Sequence, residues 1–487
     1  MADFKDILKE IGEVGEVEQV FGAVVYASGL PGAKSHELVM METGEIGEVF
    51  SLRQDYLEIL LFSPATVRVG TRVARMGRQL SVSVGEGCLG RVVDSLGRPV
   101  SGEPISGKLE MRSVDVTPPP ISARKHVSEP FESGVSIVDL VVPLGRGQRE
   151  LVIGDHKEGK TNFLWQSLLS HTLKGGVCVY GGIARRRGDL YKLNQYLAKF
   201  KIADKVVVVN SLATDSGGMI FLTPLTAMTM AEYFRDQGKD VLLILDDLSI
   251  HAKYYREISL LARRFPGRGL YPGDMYYLHA KLLERGGSFK NGSITCLAVA
   301  ETVFGSLTGF IETNLMSMTD GHILFDHELS NQGRHPPVNP FLSVTRVGRQ
   351  TQSPLMRSLT LVLNNFLVEH EKVKQLVHFG GEINQAAQRT LEFGDKIYAL
   401  FNQGNGEIVP TSLSAVLLAY LWSGVSEGEI VSVVSQRIAA ARKSYLEEED
   451  FRARVGELFT KAASFDQLVI AVRQEFTLWK NLGGKPK

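Results

Sequence analysis

Three cysteines, Cys88, Cys178 and Cys296, are all that this 487-residue chain contains. Their number is odd and their spacings fit no metal motif. A disulfide framework and a cysteine zinc site are therefore excluded, leaving reduced thiols packed as small apolar residues in a cytosolic compartment. Neither sign of charge is in excess, with 54 Lys and Arg against 54 Asp and Glu. That balance disfavours a dedicated nucleic-acid or membrane-surface binder, which needs a basic surplus. No apolar run reaches the roughly 18 residues that a membrane-spanning helix needs. The opening Met-Ala-Asp-Phe-Lys carries no signal-peptide pattern, so membrane association is expected only through partners. Internal repeats and low-complexity segments are missing too.

What is present is an ordinary globular composition, 44% apolar and 22% charged. The length suits about three domains. Phe4, Ile7, Leu8 and Ile11 fall at helical spacing and predict a short amphipathic helix over residues 3–11. From about residue 16 to 84 the pattern changes to short β-rich runs, including 21–26 and 56–62, punctuated by glycines and charges. These predict a small β-barrel or sandwich. Pro118-Pro119-Pro120 marks a rigid crossing.

The central region alternates helical stretches with buried-strand candidates at 150–153, 177–180, 206–209, 241–245, 294–299 and 321–325. That alternation predicts a mostly parallel α/β sheet. Beyond Pro354 only Pro410 intervenes before the extreme C-terminus, and patterns at 355–371 and 429–443 predict a helical domain. The expected boundaries are 1–88 for the helix and barrel, 89–355 for a nucleotide-binding α/β domain, and 356–487 for the helices.

Gly154-Asp155-His156-Lys157-Glu158-Gly159-Lys160-Thr161 follows the apolar Leu151-Val152-Ile153 and spells a complete phosphate-binding loop. Its glycines let backbone N–H groups wrap a phosphate, Lys160 reaches the β- and γ-phosphates, and the Thr161 hydroxyl can ligate Mg²⁺. A second signal is Val241-Leu242-Leu243-Ile244-Leu245-Asp246-Asp247, an apolar strand ending in a carboxylate. Asp246, directly after the run, is the better candidate for the second Mg²⁺ contact, usually made through water. A strand-terminal aspartate can equally cap the next helix.

Hydrolysis also needs a group that polarises water. In related sheets it is a carboxylate at the end of the strand beside the loop strand, expected here to be 177–180. The residues that follow are Gly181-Gly182-Ile183-Ala184-Arg185-Arg186-Arg187-Gly188-Asp189, with no glutamate. Arginine stays protonated and cannot act as a base; the three arginines screen phosphate or form a solvated turn. Glu158 lies inside the loop, badly placed for in-line water. The sequence therefore predicts nucleotide binding with little or no turnover.

Several longer blocks carry a resemblance. They are Asp246-Asp247-Leu248-Ser249, the stretch 263–274 with Pro272-Gly273-Asp274, and Leu278-His279-Ala280-Lys281. Further blocks are Val142-Pro143-Leu144-Gly145-Arg146-Gly147-Gln148, Ser343-Val344-Thr345-Arg346-Val347-Gly348, His378-Phe379-Gly380-Gly381 and Gln388-Arg389-Thr390-Leu391. In order and spacing they resemble the α subunits of F-type ATP synthases, from about Gly15 to the C-terminal helices. The Asp-Asp-Leu-Ser and Pro-Gly-Asp blocks separate the α type from the catalytic β type.

The resemblance implies a β-barrel crown, a RecA-like nucleotide domain and a helical C-terminal domain. It implies three α and three β subunits alternating around a γ stalk, on the cytoplasmic face of a membrane as a peripheral part of the complex. A peripheral δ subunit would dock on the N-terminal helix. The α site would hold Mg²⁺ with ATP (or ADP) without hydrolysing it. Its nucleotide contacts would come from residues 154–161, Asp246 and Gln403, with Thr161 and Asp246 on the metal. Arg346, with Ser343 in the same motif, would act in trans as an arginine finger at the neighbouring β site, where a guanidinium stabilises the transferring phosphoryl group. A transmembrane proton or sodium gradient would drive synthesis.

The sequence also departs from that family. Arg185 stands where a glutamine is usual, Ser330 and His335 replace an adenine-pocket Phe and Arg, and Gln403 and Asn405 stand for paired glutamines beside Gly404 and Gly406. A weakened base pocket is expected. Two other readings compete. A self-sufficient export-type hexameric ATPase needs a water-polarising glutamate, which is missing. An RNA-translocating RecA-like hexamer needs a basic, aromatic barrel, whereas Phe21, Tyr26, Phe50, Tyr56 and Phe62 are spread out as core residues are.

Overall fold

The computed structural model describes residues 3–63, 67–101, 103–265, 267, 270–378 and 384–475. Pro266, Arg268 and Gly269 of the 263–274 block, and the Phe379-Gly380-Gly381 motif, lie outside the described residues. The chain forms two compact units. The first comprises Met1–His126, Thr172–Thr302 and Ser306–Thr319; the second comprises Val127–His171, Val303–Gly305 and Asp320–Lys487.

The first unit opens with helix Phe4–Ile11, started by the Asp3 carboxylate, which accepts from the Phe4 N–H at 2.8 Å. Phe4 and Ile7 are buried against Met40 and Ala74, with Leu8 packed beside them. The apolar stripe expected to meet a partner is thus spent on the chain's own barrel. Asp3, Lys5, Asp6, Lys9 and Glu10 form the exposed face.

The barrel strands are β1 (Val14–Phe21), β2 (Val24–Ser28), β3 (Glu37–Met41), β4 (Ile46–Leu52), β5 (Leu57–Leu61) and β6 (Arg72–Gln79). They run in the order β1-β2-β5-β4-β3-β6 and close through β1 against β6, which leaves no free edge. Val17, Val25, Val39, Met41, Ile59 and Val73 fill the interior. Two expectations are corrected. The run 21–26 is not one strand, because Gly22 and Ala23 turn the chain between β1 and β2. The barrel also ends at Gln79: Ser81–Val84 leaves it and pairs with Glu110–Ser113 in a separate two-stranded sheet.

The rest of this unit is built on parallel strands. Gly292–Glu301 pairs with Asp240–Asp246, that strand with Val177–Arg185, that with Val206–Leu212, and Val92–Val93 lies outermost. Helices Arg187–Lys199, Gly217–Asp236 and Leu248–Leu261 connect them. Covered on both faces, such strands must be apolar throughout rather than alternating, which is why they stood out in the sequence. Cys88, Cys178 and Cys296 are buried and form no disulfide among the described residues.

Two buried histidines in this unit give it an acid-labile core. His251 Nε2 lies 3.0 Å from the Phe221 carbonyl and must donate to it, so His251 Nδ1 accepts from His279 Nε2 at 2.9 Å. Burial pushes His251 down to about 4 and His279 well below its ordinary value. Both are depressed on folding, so their stability contribution is complete above the unfolded value near 6.5 and is lost as pH falls toward about 4. The loss from His251 alone is on the order of 3 kcal/mol. The histidine contribution should be flat from pH 8 to about 6.5 and fall below it, read as the difference in thermal midpoint between the wild type and a variant lacking His251. A His251→Gln variant should show a shallower acid limb, and an equally steep limb would assign the acid sensitivity elsewhere.

In the second unit, Arg149–Gly154 lies parallel to Gly321–Phe325, and Val344–Thr345 adds antiparallel to the latter. Helix Lys160–Leu173 follows the loop. Helices Pro354–His378, Gln385–Phe401, Thr411–Trp422, Val431–Glu447, Glu449–Lys461 and Phe465–Gln474 make up the C-terminal part. Trp422 anchors it, meeting Phe366, Phe393 and Phe465 edge-on with centroids 5.5, 5.0 and 5.7 Å away. Barrel, α/β region with parallel strands and helical C-terminus are the architecture expected. Among the described residues no helix is long and apolar enough to cross a membrane.

Candidate nucleotide site

The loop strand Arg149–Gly154 runs directly into residues 154–159, and Lys160 opens the following helix. A Cβ at Gly154 would meet the Phe325 carbonyl oxygen at 2.4 Å, so only glycine lets the chain leave the sheet here. The Asp155 carboxylate accepts from the Gly305 N–H at 2.9 and 3.0 Å, tying the loop to segment Val303–Gly305. His156 and Lys157 are exposed at the crest. The buried Lys160 ammonium donates to the Gly154 and Asp155 carbonyls, each at 2.6 Å. Carbonyls are weaker acceptors than phosphate oxygens, so an incoming phosphate would draw the ammonium to itself. Thr161 is half-buried in the first turn of the helix. Glu158 is buried, its Oε1 bound to His327 Nδ1 at 2.6 Å, a bond that raises the His327 pKa. One carboxylate oxygen is thus held by His327, and the other is buried without a hydrogen-bond partner among the described residues.

In the first unit, the Asp247 carboxylate caps helix Leu248–Leu261 by accepting from the Ile250 N–H at 2.8 Å. Capping falls to Asp247, and Asp246 is left for other work. Asp246 is buried at the strand end, where Oδ2 accepts from the Tyr180 hydroxyl at 2.6 Å and Oδ1 from Arg185 Nη1 at 3.1 Å. The in-register pairing of Gly182 with Asp246 brings these side chains together.

Two expectations fail here. Arg185 is not in a solvated turn; it ends strand Val177–Arg185 and is largely buried, while Arg187 opens the next helix. Burial works against its charge, but Asp246, Tyr180 and Asp189 outweigh it and raise its pKa. The second correction concerns position. Both edges of that strand are taken, by Val206–Leu212 and Asp240–Asp246, so it does not lie beside the loop strand. No carboxylate stands at its end.

A cleft of about 520 Å³ in the second unit is lined by Lys157, Glu158, Gly159 and Asn162 from the loop and its helix, by Ser330 and His335, and by residues 402–405. Its size suits a nucleobase and sugar. The Gln403 amide does not project freely into it: Oε1 accepts from the Ser136 N–H at 2.6 Å and Nε2 donates to the Gly134 carbonyl at 3.0 Å. Asn405 Oδ1 accepts from Asn162 Nδ2 at 2.8 Å. With Ser330 and His335 on the wall, the cleft offers polar contacts and no phenylalanine for stacking.

Arg346 follows the short strand Val344–Thr345 and is exposed. Its backbone N–H donates to the Asp320 carbonyl at 3.0 Å, and the Asp320 carboxylate is clamped by Arg149 through Nη2 at 2.8 Å and Nε at 3.1 Å. Ser343 Oγ accepts from the Leu324 N–H at 3.0 Å, pinning the segment to strand Gly321–Phe325. At Gly348 a Cβ would lie 1.7 Å from the Pro143 carbonyl oxygen, which fixes how closely the Arg-Val-Gly turn packs. The guanidinium itself makes no hydrogen bond or ion pair among the described residues. A cation is thus held out on a rigid base.

Residues 134–345 match the model of the ATP synthase alpha/beta family, nucleotide-binding domain. ATP synthase subunit alpha from two strains of Clostridium kluyveri is 32% identical to this chain over 480 residues, covering 97% of the chain and 94% of each relative. The chain belongs to the ATP synthase subunit alpha family.

In this alpha-family chain the loop joins strand Arg149–Gly154 to its helix, Asp246 ends its strand, and Arg346 follows Val344–Thr345. Three residues bonded to these candidates carried no signal in the sequence. Tyr180 and His327 matter only through bonds made across 66 and 169 residues of chain, which no local pattern announces. Asn162 carries no motif signal, since its role depends on Asn405.

Proposed function

We propose that this chain is a non-catalytic, regulatory alpha subunit of a rotary ATP synthase. It holds ATP or ADP at the loop 154–161 and donates Arg346 to the catalytic site of an adjacent beta subunit. The observation that carries this reading is Arg185: the group bound to Asp246 at the strand end is a largely buried guanidinium rather than a carboxylate that could polarise water. A guanidinium cannot accept a proton at any working pH. Glu158 in the loop is buried, with one carboxylate oxygen bound to His327.

Each candidate magnesium contact has suitable chemistry in its own unit. In the second, Thr161 offers a hydroxyl at the helix start. In the first, each Asp246 oxygen keeps a second lone pair for a metal-bound water beside its bond to Tyr180 or Arg185. When bound, Mg²⁺ would neutralise phosphate charge. This chain's residues would orient the nucleotide, with Asn162 and Asn405 at the base end of the cleft. Three such chains alternate with three beta subunits around a gamma stalk, on the cytoplasmic face of a membrane whose proton (or sodium) gradient drives synthesis. A delta contact at helix Phe4–Ile11 would be polar, through Lys5, Asp6, Lys9 and Glu10, since Phe4 and Ile7 are buried. The assigned regions are 1–88, 89–355 and 356–487.

The test is ATP turnover by the isolated chain under conditions in which it binds ATP. Binding without turnover above the rate of a Lys160→Ala control is expected. Steady turnover by the isolated chain, abolished in that control, would overturn the non-catalytic assignment.

A further inference from the structure

The second unit contains a larger cavity, of about 800 Å³, bounded by residues 332–338 and by helices Pro354–His378, Gln385–Phe401 and Val431–Glu447. Nothing in the nucleotide reading uses it. Its charged lining is Arg334, Lys374 and Arg442 against one carboxylate, Asp395. Glu407 pairs with Arg442 at 3.2 Å, so the surplus positive charge rests on Arg334 and Lys374.

Two deeply buried side chains on the wall have polar atoms left over. His370 is 3% exposed and its Nδ1 finds no hydrogen-bond partner, while the opposite edge of its ring is packed against Gly394. Arg442 is 9% exposed; both its terminal nitrogens bond the Leu400 and Asn402 carbonyls or Glu407, but its Nε has no partner. Both residues line the cavity, and neither has its polar atoms fully satisfied within the wall among the described residues. Arg334 lies over the Tyr398 ring, 3.4 Å from its centroid, which holds the guanidinium in place, and among the described residues Lys374 bonds only the neutral Gln332 amide, at 3.2 Å.

We propose that this cavity is a second anion site, taking a small phosphate-bearing molecule up to nucleotide size. The phosphate would be held by Arg334 and Lys374, with the His370 and Arg442 side chains forming the inner wall. A planar guanidinium beside a mobile ammonium is the pairing that suits tetrahedral phosphate oxygens. The volume falls in the range of small-molecule sites. His335 and Asn402 line both this cavity and the nucleotide cleft. Occupancy here would therefore be felt at the base end of the nucleotide.

Inorganic pyrophosphate is the probe, titrated into the full chain by calorimetry. The wild type should show two binding events. Lys160→Ala should remove the loop event and keep the other. In that background, Arg334→Ala with Lys374→Ala should weaken the remaining event at least tenfold. Both residues are only part-buried, and an unchanged thermal midpoint confirms folding. Pyrophosphate should also move the His370 ring resonances in the Lys160→Ala chain. Loss of all pyrophosphate binding with Lys160→Ala, or a second event indifferent to Arg334 and Lys374, overturns the site.

Discussion

Replacing Arg346 by alanine is expected to lower ATP turnover by the reconstituted complex with the beta partner by about 10³-fold. Nucleotide binding at this chain's own loop should be unchanged. The size follows from what a guanidinium does when it is supplied across an interface. It meets charge that exists only as the phosphoryl group transfers, so its loss falls on the chemical step rather than on binding. The local structure is suited to that task. Arg346 is exposed and without an ion pair, while its backbone is tied to Asp320, Asp320 to Arg149, and Ser343 to Leu324. Arg346→Lys should recover little, because a point charge does not reproduce the planar fork. Asp320→Asn should give a milder loss by loosening the base. Turnover of the Arg346→Ala complex within a few-fold of wild type would remove the finger from this residue.

How far the sequence could be read depended on whether the deciding contact was local. The parallel strands were legible because burial on both faces forces continuous apolar runs, and the phosphate loop because its glycines and lysine must be adjacent in sequence. The barrel was legible in kind but not in detail. Gly22 and Ala23 turn the chain inside a run that is otherwise β-rich, so two strands read as one. Ser81–Val84 has the strand pattern, and only its pairing with Glu110–Ser113 places it outside the barrel. The helical stripe at Phe4 and Ile7 was seen, but not which surface it covers. Gln403 was sought as a base contact, whereas its amide is occupied by the backbone of Gly134 and Ser136. That commitment spans some 270 residues of chain and leaves no trace in local pattern.

Arg185 is the sharpest instance, and it carries the second large effect. Three successive arginines read either as screening phosphate or as a solvated turn; register with Asp246 instead makes the first a largely buried counter-ion. Under the proposed assignment of Asp246 to the metal, Arg185 already neutralises the carboxylate that Mg²⁺ would neutralise. The wild-type chain should therefore gain less ATP affinity from Mg²⁺ than a chain whose Asp246 lacks a cation partner.

Arg185→Gln leaves Asp246 buried with only the Tyr180 hydroxyl, a loss of about 3 kcal/mol in the first unit, as when one partner of a buried pair is removed. A metal ion can restore part of that. The ratio of ATP affinities with and without Mg²⁺ should then rise about tenfold or more, corresponding to at least ~1.4 kcal/mol of the strain relieved. The variant's thermal midpoint, lowered in EDTA, should recover more than wild type does when Mg²⁺ and ATP are added together. An equal affinity ratio in wild type and Arg185→Gln would mean that Asp246 does not serve the metal. A midpoint unchanged by the substitution would mean that the Arg185–Asp246 pair contributes nothing to the fold, and Arg185 would lose its role as the buried counter-ion of this strand end.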